Sequence, residues 1–92
     1  MYRIMLADDE GIVIDSLKFI IEKEFGDLCE IQYAKTGRSV IELAESFRPD
    51  IAVMDIQMPG INGIDAIKEI KKSNSSTVFI VMSAYDKFDY AQ

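Results

Sequence analysis

Residues 51–60 read Ile51-Ala52-Val53-Met54-Asp55-Ile56-Gln57-Met58-Pro59-Gly60. Four apolar residues in succession predict a strand covered on both faces, the habit of a parallel sheet. The run ends on a carboxylate. Ligands of open α/β sheets sit beyond the carboxyl ends of the strands, so Asp55 is expected at the mouth of a site. The plainer alternative is an acid that merely starts a loop. Met58-Pro59-Gly60 then predicts a turn, with proline presetting φ and glycine supplying φ > 0 at the next position.

The same alternation extends in both directions. Residues 3–7 form a short apolar strand, broken by Asp8-Asp9-Glu10-Gly11. Residues 12–25 predict a helix, with Ile14, Leu17, Ile21 and Phe25 on one face and Asp15, Lys18 and Glu22 on the other. Gly26 closes it. Residues 30–34 alternate Ile31 and Tyr33 with Glu30 and Gln32, as expected of a half-exposed edge strand. Thr36 is placed to cap a second helix. Val40, Leu43, Ala44 and Phe47 give that helix its apolar face, and Arg48-Pro49 stops it. A third helix is expected over residues 63–72, with Ile64, Ile67 and Ile70 inward. Residues 73–76 are a loop. Residues 77–82 are again wholly apolar after Thr77. Asp86 would cap a last helix start.

A β-α-β-α-β-α-β order implies a parallel sheet with helices on both faces, joined by right-handed crossovers. The polar second strand belongs outside and the apolar ones inside. The order 2-1-3-4 satisfies this. It is the flavodoxin-like doubly wound α/β order with its last strand missing.

The chain has 92 residues, enough for one domain, residues 1–92, with a modest core. Its 49% hydrophobic and 28% charged residues are ordinary for a globular protein. Apolar runs are strand-length, so no membrane span is expected. The N-terminus lacks signal-peptide architecture. Cys29 stands alone, which excludes an intrachain disulfide and suits a reducing, cytoplasmic setting, with a buried thiol as its default role. A net charge of −6 without a basic patch argues against this segment gripping nucleic acid itself.

Order 2-1-3 brings Asp8, Asp9 and Asp55 to one carboxyl edge. Three adjacent carboxylates stay ionised only if a cation neutralises them, and their hard oxygens suit Mg²⁺. Ser83 ends the fourth strand, where its hydroxyl could donate to an anion at Asp55. Plainer roles stand beside these. Asp8 or Asp9 could N-cap the first helix. Ser83 could be a turn residue and Tyr85 an exposed aromatic. Gly60 and Gly63 are backbone devices whatever the function.

Leu6-Ala7-Asp8-Asp9-Glu10, Asp55-Ile56-Gln57-Met58-Pro59-Gly60-Ile61-Asn62-Gly63 and Val81-Met82-Ser83-Ala84-Tyr85 together resemble the receiver domain of bacterial two-component response regulators. The resemblance runs the length of the chain. It implies that Asp55 accepts a phosphoryl group from a sensor histidine kinase or a small phosphodonor. It implies that Asp9, Asp55 and the Gln57 backbone carbonyl ligate Mg²⁺, with Asp8 helping directly or through water. Ser83 would bind phosphoryl oxygens, and Tyr85 would relay the change. Gln57 and Tyr85 would tune loss of the phosphoryl group to water. Such a domain is a phosphoacceptor, not an enzyme acting on other molecules.

Family members also carry a fifth strand ending in a Lys, and a fifth helix; residues 1–92 contain neither. Lys87 lies too early to replace that Lys. Residues 85–91 resemble regulators with AraC-type helix-turn-helix output domains. DNA contact and transcriptional control are therefore expected only through an output domain outside this chain. A phosphorylation-independent dimerisation or scaffold module is the alternative, though a pure scaffold has no need of crowded carboxylates. Phosphate-binding G-x-x-x-x-G-K-[ST] and dinucleotide-binding G-x-G-x-x-G patterns are absent. A haloacid-dehalogenase-type phosphatase would want a second Asp two residues after the first strand's nucleophile, where this chain has Glu10 after Asp8. Residues 78–82 are patterned for pairing on both edges, so a bare outer edge should favour self-association.

Overall fold

A computed structural model describes residues 1–82 of the chain. In chain order its elements are β1 (Tyr2–Ala7), α1 (Gly11–Phe25), β2 (Cys29–Ala34), α2 (Gly37–Phe47), β3 (Ile51–Asp55), β4 (Gln57–Met58), β5 (Ile61–Asn62), α3 (Gly63–Ser73) and β6 (Val78–Met82). Four strands form one parallel sheet in the order β2-β1-β3-β6. This is the expected 2-1-3-4 order. The two extra strands are a short antiparallel hairpin between β3 and α3, pairing Gln57 with Asn62 and Met58 with Ile61. The sequence reading had only a turn there. Two-residue strands carry no periodicity to read.

Local chemistry sets the helix ends. Gly26 takes φ 53° and its N–H donates to Glu22 O, which stops α1. The Thr36 hydroxyl accepts from Ser39 N at 3.2 Å and starts α2. Arg48 adopts a left-handed φ of 50° at the other end, and Pro49 follows. Asn62 Oδ1 accepts from Asp65 N at 3.0 Å and starts α3.

The two faces of the sheet are unequally covered. Met5, Ala7, Ala52 and Met54 pack beneath α2 and α3 against Val40, Ala44, Ala66 and Ile70. On the other face Ile4 and Leu6 pack against Ile14 of α1. That helix lies mainly over β1 and β2, with Ile51 and Val53 of β3 packed at the margin of the same cluster. Ile51 and Val53 are therefore only half-buried, contrary to the expected two-sided burial of β3. Val78, Ile80 and Val81 of β6 are 44–58% exposed. Two details also differ from the sequence reading. Ile64 is exposed, because the inward stripe of α3 is Gly63, Ala66, Ile67 and Ile70, spaced i, i+3, i+4, i+7. Cys29 is half-buried at the start of the edge strand.

Candidate functional site

Pairing of Ala7 with Met54 sets the next residues of β1 and β3 side by side at the carboxyl edge. Asp8, Asp9 and Asp55 each present a carboxylate oxygen there, and these oxygens lie within 4.8 Å of one another. Asp8 is buried, Asp9 exposed and Asp55 half-buried, so the group opens to solvent on one side.

Backbone contacts fix the cluster. Asp8 N donates to Ala34 O at 3.2 Å, tying the end of β1 to the end of β2. The Asp8 side chain accepts from Glu10 N at 2.9 Å. Glu10 is the N-cap of α1 and makes no side-chain cap bond, so neither Asp8 nor Asp9 has the capping role. Asp55 Oδ1 accepts from Gln57 N at 3.0 Å. Gly63 N donates to Ile56 O at 2.9 Å. A Cβ on Gly63 would lie 2.5 Å from Ile56 Cα and 3.0 Å from Asp55 O, so only glycine lets α3 start this close to the end of β3. At the hairpin tip Gly60 takes φ 98°, as the Pro-Gly pair predicted. The tip is held by Gly37 N donating to Pro59 O at 3.0 Å.

The electrostatics are unfavourable as they stand. Burial pushes the Asp8 carboxyl above its usual range; the Glu10 N–H opposes this, and the charges of Asp55, Asp9 and Glu10 add to it. Among the described residues the ion pairs are Arg38–Glu42 and Lys72–Glu69, both on helix surfaces. None reaches the cluster. A divalent cation with a preference for hard oxygen fits this donor set and would relieve the crowding. A carboxylate held beside such a cation can act as a nucleophile toward an anionic group.

Asp8, Asp9 and Asp55 thus come together, and Gln57 adjoins them through its N–H bond to Asp55. Ser83 and Tyr85, like Asp86, lie outside the described residues. Two features escaped the sequence reading. One is the Gly37–Pro59 bond, which joins α2 to the hairpin. The other is Lys35, whose Nζ lies 3.4 Å from where a Gly11 Cβ would stand. Its position directly after β2 was the available signal.

Residues 4–92 match the family model described as the response regulator receiver domain. The transcriptional regulatory protein YesN of Bacillus subtilis is 38% identical over 92 residues, all of this chain and 25% of YesN. The chain thus spans a quarter of that relative's length. A crystal structure of the two component transcriptional regulator AraC from Clostridium phytofermentans superposes with a TM-score of 0.81 at 29% identity, covering 98% of this chain and 73% of that one. A crystal structure of histidine kinase ThkA in complex with response regulator protein TrrA gives a TM-score of 0.81 at 33% identity, covering 92% of this chain and 71% of that one. Among the described residues no helix is long and apolar enough to cross a membrane.

Proposed function

The chain belongs to the response regulator receiver domain family, and from that premise we propose that it is a phosphorylation-operated switch in which Asp55 takes the phosphoryl group. The observation that carries this reading is the convergence of Asp8, Asp9 and Asp55 within 4.8 Å at the carboxyl edge.

Asp9 and Asp55 would hold Mg²⁺ with the Gln57 carbonyl, and Asp8 would support them. The ion, when bound, neutralises charge on the transferring group. One Asp55 oxygen attacks phosphorus and a P–O bond forms. With a phosphohistidine donor the P–N bond breaks, its electron pair returns to the imidazole, and that ring takes up a proton. With an acyl phosphate the P–O bond breaks and the carboxylate leaves. Ser83 would bind the phosphoryl oxygens, Tyr85 would relay the change, and the Gln57 side chain would tune hydrolysis.

The donor would be a sensor histidine kinase, since a similar regulator was crystallised with one. Likeness to YesN supports a transcriptional output carried by chain outside these residues. Lone Cys29 fits a cytoplasmic location. Among the described residues β6 is an edge strand with Val78, Ile80 and Val81 exposed, which favours self-association. Sedimentation across a concentration series should show a rising mean mass; a constant monomer would refute it. The crowded carboxylates favour the switch over a phosphorylation-independent scaffold.

The test of the switch is incubation with a small acyl phosphate, with and without Mg²⁺. A covalent, hydroxylamine-labile phosphoryl adduct should form only with the metal. No adduct in saturating Mg²⁺ would overturn the reading.

A further inference from the structure

The β2–α2 turn is bonded to the loop that carries Asp8 and Asp9 and to the hairpin that follows Asp55. Ala34 O accepts from Asp8 N on one side, and Gly37 N donates to Pro59 O on the other. Thr36 between them is spent on capping α2. Residue 35 is therefore pinned between the loop that carries Asp8 and Asp9 and the hairpin that follows Asp55. Its side chain reaches toward Gly11, with Nζ 3.4 Å from the glycine's would-be Cβ. Gly11 follows Asp9 by two residues, so the ammonium lies within roughly 12 Å of the Asp9 Cα from chain dimensions alone. Lys35 makes no ion pair among the described residues. Among the described residues it is also the only Lys or Arg in the connections at this edge, residues 8–10, 35–36 and 56–62.

We propose that Lys35 sets the electrostatic balance of the site, weakening divalent-cation binding while drawing in the anionic phosphoryl donor. The proposal rests on the reading of Asp55 as phosphoacceptor. A positive charge at this range repels a dication and attracts a dianion through the same field. Lys35 would act on both reactants through that field rather than by contact, which makes it a positioning residue. Removing it should change the two quantities in opposite directions, each by about threefold at an effective dielectric of 80 and by more at a lower one, before salt screening. Added salt should erase both effects, because the separation is comparable with the Debye length of about 10 Å.

The test uses the full chain with Mg²⁺ and a small acyl phosphate as probes. Mg²⁺ affinity is read from backbone amide shifts, and labelling rate is read at saturating Mg²⁺. Lys35→Gln should tighten Mg²⁺ and slow labelling, Lys35→Glu should do both more strongly, and Lys35→Arg should restore both. Lys23→Gln removes the same charge from the last turn of α1, twelve residues along the helix from Gly11. It should change neither. Unchanged Mg²⁺ affinity or labelling rate in Lys35→Glu, or equal effects in Lys23→Gln, would overturn the proposal. If even the native chain is not labelled, the assignment of Asp55 fails, and the Mg²⁺ measurements alone decide for or against Lys35.

Discussion

An aspartate stands at each end of β3, Asp50 just before it and Asp55 as its last residue, in opposite surroundings. At the amino end Asp50 is integrated into the framework. Its Oδ2 accepts from Arg3 N at 2.8 Å, its N–H donates to Arg3 O at 2.8 Å, and its carbonyl accepts from Val78 N at 2.9 Å. Beside it, buried Thr77 donates its hydroxyl to Pro49 O at 2.8 Å. An apolar cleft of about 350 Å³ lined by Tyr2, Ile4, Phe25, Leu28, Cys29 and Ile51 completes this edge. At the carboxyl end Asp55 shares its surroundings with two more acids and no ion-paired cation among the described residues. One end has its polar groups paired; the other holds like charges together. Buried polar groups are ordinarily satisfied, so the contrast separates an acid bonded into the framework from one left among like charges, as the proposed phosphoacceptor role requires.

Stability measurements should break along this line. Thr77→Ala removes a buried hydrogen bond at the amino end and should cost about 1–3 kcal/mol in denaturant unfolding. Asp8→Asn removes one of the crowded charges at the other end and should stabilise the metal-free chain by roughly 1 kcal/mol at neutral pH. The sign follows from its raised pKa. The folded state holds the Asp8 proton more tightly than the unfolded state. Stability is therefore lost as pH rises from the unfolded value through the folded one, and stays lost above it. Below the unfolded value both states are protonated, and the advantage of Asn should vanish. A destabilising Asp8→Asn at pH 7, or a gain independent of pH, would show that the carboxyl end is not under charge strain.

Much of this contrast was legible in the sequence. The polar second strand beside apolar first, third and fourth strands implied the strand order, and that order brought Asp8, Asp9 and Asp55 together. Thr36, Gly26 and Pro49 marked helix ends because capping and φ restrictions are local chemistry. Packing that depends on small residues was harder to read. The true inner stripe of α3 runs through Gly63 and Ala66, which carry little hydrophobic signal, and Ile64 drew attention away from it. Half-burial of Ile51 and Val53 depends on how far α1 reaches across the sheet, which periodicity does not report. Lys35 had only its position directly after β2 to mark it, because its relevance lies in a reach toward Gly11 in another loop.

The most direct measurement compares Asp50, just before β3, with Asp55 at its end. The native chain, Asp50→Asn and Asp55→Asn are each incubated with Mg²⁺ and a small acyl phosphate, and bound phosphoryl is counted after unfolding. The account predicts equal labelling of the native and Asp50→Asn chains and none on Asp55→Asn. Undiminished labelling of Asp55→Asn would contradict it.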